Sequence, residues 1–135
     1  MKIVMVINKE LPIGLIANTA AVLGISAGKI YEEIVGDDIQ DSDGNIHTGI
    51  TTKTIPILEG TTEQVKCIRE KLFDEKFKDV HVVDFSEIAQ RSLDYESYTR
   101  ALNNSTSAEI KYLGVCMYGS LKKVNKLTGY LGLLK

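Results

Sequence analysis

Two neighbouring segments at the amino end restrict what this chain can fold into. Lys2 to Asn8 (KIVMVIN) is short, β-branched and apolar almost without a break, the pattern of a strand covered on both faces. From Leu11 to Gly28 no residue carries a charge, and Pro12 stands where the first turn of a helix accepts proline. Apolar residues lie around almost the whole circumference of that second segment, so it predicts a helix buried on more than one side. Lys2 and Lys9 ahead of an uncharged run also outline a signal peptide. Glu10 sits where such a leader is positive, however, and Gly14, Asn18, Thr19 and Gly24 interrupt the roughly 20 apolar residues that a membrane span needs. The expectation is a cytoplasmic protein with no membrane partner.

Strands and helices alternate downstream. The acidic stretch DDIQDSDGN contains Asp43-Gly44, which favours a tight turn and predicts a hairpin. Gly49 to Leu58 reads as a strand that Pro56 confines to a sheet edge, because proline cannot donate to a ladder. Thr61 and Gln64 have the spacing of a capping box, followed by an apolar stripe of Val65, Ile68 and Leu72. Val80 to Phe85 is the next strand. Ser86 then stands ready to cap a helix that runs to about Asn103, Glu109 to Tyr118 is a last long strand, and Leu121 to Leu127 a short helix. The reading is one domain over residues 1–135, an α/β/α three-layer sandwich with a mixed, mostly parallel sheet of about four main strands.

With 16 Lys and Arg against 18 Asp and Glu, the net charge of -2 gives no field to collect DNA. Cys67 and Cys116 stand far apart with no CxxC, so neither a disulfide framework nor a zinc site is expected. The aspartates before Gly44 fail the calcium-loop spacing, since Ile39 would fall on the first ligand position. No GxGxxG, Walker loop or GxSxG occurs, and no metal or cofactor is expected.

Ligands of open α/β sheets sit beyond the carboxyl ends of strands, which singles out Asn8, Lys9 and Glu10 after the first strand and Asp84 after VHVV. The competing expectation is that Lys9 and Glu10 are solvated and Asp84 caps a helix. Asn18, an amide on an otherwise apolar helix, needs either an internal hydrogen bond or a pocket. His47 offers a donor and an acceptor near neutral pH and is the natural partner for Asn18. These six residues form the candidate site for a small polar ligand. An alternative is hydrolysis of a small amide or ester by His47 and Asp84, and a third is a homodimer built on the first helix.

The strand YLGVCMYG, the helix LKKVNKL and the ending LTGYLGLLK together resemble the close of the peptidyl-tRNA hydrolase II fold. Leu11-Pro12-Ile13-Gly14 with its Ala-rich helix resembles that family's first unit, and VHVVD its strand ending in an aspartate, here Asp84. LPIGLIANTAAVLG, DGNIHTGIT and the segment around Pro56 are similar to a prokaryotic family of small proteins of unknown function assigned to that fold. The resemblance implies the fold and argues against the activity. Peptidyl-tRNA hydrolases of this type carry a glycine-lysine loop after strand one and a histidine in the first helix, whereas Leu11 to Gly28 contains no Lys, Arg or His. The loop expected after Asp84 is replaced by SEIAQRSLDYESYTRAL, with Ser86 as a loose stand-in. Without those lysines the attraction to tRNA phosphates is weakened, so tRNA is not an expected partner.

Overall fold

The computed structural model describes residues 1–135. In chain order its elements are β1 (Lys2–Asn8), α1 (Ile13–Ile30), β2 (Ile39–Gln40), β3 (Ile46–His47), β4 (Ile57–Gly60), α2 (Thr62–Lys71), β5 (His81–Ser86), α3 (Glu87–Arg91), α4 (Tyr95–Asn103), β6 (Tyr112–Gly119) and α5 (Leu121–Thr128). Four strands form one sheet in the order β4-β1-β6-β5, and β2-β3 is a separate hairpin.

The sheet corrects the expectation of mostly parallel pairing. Only β1–β4 is parallel, while β1–β6 and β5–β6 are antiparallel. Strand-helix alternation does make β1, β4 and β5 run the same way. The chain leaves β5 through two short helices and returns to the same end, where the Glu87 amide donates to the Lys111 carbonyl at 3.0 Å. β6 therefore enters reversed, and because it lies between β1 and β5 it reverses two of the three ladders.

Successive β1 side chains point to opposite faces. Val4 and Val6 join α2 and α5 through Val65, Ile68, Val124 and Leu127. Ile3 and Met5 join α1 through Leu23 and Ala27. Each such fully buried aliphatic side chain contributes about 2 kcal/mol of burial free energy.

α1 departs from the sequence reading. Its buried residues are Thr19, Leu23 and Ala27, a single stripe of i, i+4, i+8 spacing. The outer face leaves Ile13 85% and Ile25 77% exposed. By length and composition α1 could cross a membrane, but here its stripe lies on the sheet. The predicted helix from Ser86 to Asn103 is also broken in two. Ser86 makes no capping bond, and Asp94 caps the second piece by accepting from the Ser97 amide.

The two sheet edges differ. Along β4 the carboxyl-terminal tail lies alongside, with the Glu59 amide donating to the Gly132 carbonyl and the Leu134 amide to the Ile57 carbonyl, both at 2.9 Å. Of the predicted Gly49–Leu58 edge strand only Ile57 and Leu58 fall within β4, which runs on to Gly60. On the opposite side, β5 pairs inward with β6, and no other element bonds the outer backbone of Val82 to Phe85.

Candidate functional site

The six residues singled out by sequence fall into four places. Asn8 is buried at the end of β1, where its Nδ2 donates to Thr62 Oγ1 at 2.9 Å and its Oδ1 accepts from the Glu10 amide. Glu10 Oε2 accepts from Thr62 Oγ1 at 2.5 Å and from the Thr62 amide. Those two bonds hold the Glu10 carboxyl below the usual carboxylate range. A carboxylate at the amino end of α2 also suits the helix dipole. The result is a closed clamp between β1 and α2, with Lys9 exposed beside it.

Asn18 is exposed on α1 and makes no side-chain hydrogen bond to His47. The buried polar residue of that helix is Thr19, whose hydroxyl donates to the Leu15 carbonyl at 2.7 Å. His47 lies on the exposed hairpin with Nε2 at 2.8 Å from Asp41 Oδ2. Asp41 also accepts from the amides of Asp43 and Asn45, and the His47 contact is the main reason its carboxyl is held low.

Asp84 does not cap a helix. It accepts at Oδ2 from Arg69 Nε at 2.7 Å, in an ion pair whose side chains are 14% and 25% exposed. The Arg69 guanidinium lies 3.8 Å over the Phe73 ring. Asp84 Oδ1 has no protein partner, and two cavities meet at this carboxylate. One, of about 260 Å³, lies between α2 and the segment after α4 and includes Arg69 and Tyr112. The other, about 490 Å³, is a groove along the open edge of β5.

That groove has two walls. Val22, Ser26 and Ile30 of α1 form one, and Ser92, Asp94, Tyr95 and Tyr98 form the other, with Val82 to Phe85 as the floor. Tyr95 and Tyr98 meet edge to face at 5.5 Å. Burial, and then the charge of Asp84, push the Tyr98 and Tyr112 hydroxyls up. Every charged residue lining the groove is acidic. Sequence reading reached Asp84 but missed the tyrosines, which pass for the apolar side of a helix until the edge beside them is known to be open. Cys116 is buried in β6, and that burial pushes its thiol up to about 12. No group of three or more His, Cys, Asp or Glu side chains converges as a metal site would require.

The family model for proteins of unknown function termed DUF2000 matches residues 1–135. The chain belongs to that family. Among solved structures it is similar to the protein of unknown function Atu0240 from Agrobacterium tumefaciens str. C58, with a TM-score of 0.87 and 18% identity over 98% of this chain and 96% of that one. At that identity the likeness shows the fold alone. No curated protein matches.

Proposed function

We propose that this DUF2000 member is a binding protein whose ligand occupies the groove along β5. The observation that carries the reading is the unequal treatment of the two edges. The chain's own tail covers β4, whereas β5 is left open as the floor of a two-walled, mostly apolar groove. Concave, largely apolar clefts with a few polar groups are the usual form of a ligand site. Asp84 links this reading to the residues singled out by sequence.

A hydrolase using His47 and Asp84 is less well supported, since each is engaged by another partner, Asp41 and Arg69. The peptidyl-tRNA hydrolase II-like fold remains part of the proposal, on the resemblance of its first unit and ending, without that family's activity.

Nile red, an uncharged apolar dye, tests the groove. Saturable binding of about one dye per chain is expected, and Ser26→Trp, which fills the groove from a half-buried position, should abolish it with little change in melting temperature. Non-saturable uptake, or binding unaffected by Ser26→Trp, would refute the reading.

The exposed isoleucines of α1 support a second proposal, a homodimer through that helix. Sedimentation at micromolar concentration should give a dimer that Ile25→Lys converts to monomer; a wild-type monomer defeats it.

A further inference from the structure

We propose that the groove receives an extended peptide segment, added as a strand on the outer edge of β5, with basic and apolar side chains in alternation. This rests on the reading of the groove as the binding site. It adds the chemistry of the occupant.

The floor supplies the first reason. An edge strand presents a row of backbone N–H and C=O groups, and proteins normally cover or blunt such a row. Here β4 is covered and β5 is not, although Val82 to Phe85 lie at the bottom of a concavity of about 490 Å³. A segment in strand conformation satisfies those groups with its own backbone, as in strand addition to exposed sheet edges. A compact small molecule has no matching row.

The walls supply the second. Side chains of an added strand alternate between the two faces of the sheet. Val83 and Phe85 belong to the α1 face, where Val22 and Ile30 form an apolar wall. Val82 packs toward the opposite face, and Asp84 meets Arg69 of α2 there, on the side of Tyr98. Residues of the incoming strand directed to the α1 wall should therefore be apolar, and those directed to the other wall should be basic. A carboxylate has about four acceptor positions, and Arg69 uses only one oxygen of Asp84. Arg69 balances much of the Asp84 charge, so the net negative charge on this wall comes from Asp94, with the aromatic rings of Tyr95 and Tyr98 beside it. With no basic residue lining the groove, an acidic segment meets repulsion.

The test compares three synthetic pentapeptides on the intact chain: acetyl-Val-Lys-Val-Lys-Val-amide, its counterpart with Glu for Lys, and a Lys version with alternate backbone amides N-methylated. Affinity is read by calorimetry, and position by amide shifts in proton-nitrogen NMR spectra. The Lys peptide is expected to bind at least about tenfold more tightly than either of the others. Its shifts should centre on Val82 to Phe85. Asp94→Asn, which keeps an oxygen for the Ser97 amide, should weaken the Lys peptide alone.

Equal binding of the Glu peptide overturns the charge assignment, and equal binding of the N-methylated peptide overturns strand addition. No binding of the Lys peptide also overturns the proposal, while saturable Nile red binding in the same sample would leave the groove standing as a site. Amides of β5 already protected from exchange in a dimer without peptide would mean that a second copy fills the edge, and the proposal fails.

Discussion

Gly114→Ala is expected to lower stability by about 2 to 3 kcal/mol, near the upper end for one added methyl group in a packed core. A Cβ built at Gly114 lies 2.6 Å from Thr19 Cγ2, 3.2 Å from Leu23 Cδ1 and 3.4 Å from the Val6 carbonyl oxygen. Thr19 and Leu23 have no exposed surface, so neither side chain can swing into solvent. Thr19 is further restrained because it is β-branched and its hydroxyl donates to the Leu15 carbonyl. The backbones of β6 and α1 must separate instead, opening the layer that holds Leu23 and Ala27. For a chain of this size the melting temperature should fall by roughly 10 °C. Thr19→Ser removes the opposing methyl and keeps the hydroxyl. The double variant should therefore be more stable than Gly114→Ala alone, as measured by urea denaturation. A double variant that is less stable would show that α1 does not approach β6 at this point.

Sequence alone misjudged α1 because its composition is apolar on nearly every side, yet only Thr19, Leu23 and Ala27 are fully covered, with Leu15, Ala20 and Val22 partly buried beside them. Composition records how much apolar surface a helix has, not how many neighbours reach it. Local signals fared better where the cause was local. The capping box at Thr61 and Gln64, the turn at Asp43-Gly44 and the continuous burial of β1 each depend on a few adjacent residues, and each is present. Strand order is not local. Nothing in the sequence of Tyr112 to Gly119 says that it inserts antiparallel between β1 and β5, so the mostly parallel sheet was the natural and incorrect inference.

The candidate site divides along the same line. Asn8 and Glu10 were recognisable as the end of a strand, but their partner Thr62 comes from a distant element and turns the expected crevice into a clamp. Asp84 was recognisable for its position, while its significance depends on Arg69 of α2 and on the open edge beside it. Ser26, Tyr95 and Tyr98 carry no motif. They become candidates only because the return from β5 to β6 is made by two short helices that leave one side of β5 free.

Gly49→Ala is expected to release the β2–β3 hairpin from the body of the protein while leaving the main sheet folded. A Cβ at Gly49 would stand 1.8 Å from the Gly36 carbonyl oxygen and 2.7 Å from its carbon, and no rotation of a side chain relieves a clash with backbone. The two strands at the hairpin base must part. That disrupts the bond from the Gly36 amide to the Ile50 carbonyl and the bond from the Gly49 amide to Asp38 Oδ1, each 2.9 Å, with the neighbouring Thr52 amide to Ile34 carbonyl bond at 2.7 Å. Three hydrogen bonds at about 1 kcal/mol each correspond to roughly a hundredfold loss of hydrogen-exchange protection at Gly36, Gly49 and Thr52. The core should be little affected, because Ile39, Ile46 and Ile50 are 69%, 63% and 79% exposed and contribute little burial. Gly44→Ala makes the contrasting case. It strains a residue at φ +87° in the turn, where the hairpin tip and not its base would loosen. Hydrogen exchange on both variants separates the two regions. Loss of protection spreading from Gly49→Ala into β1 and β6 would show that the hairpin folds as one unit with the core, and the picture of an independently docked hairpin would have to be abandoned.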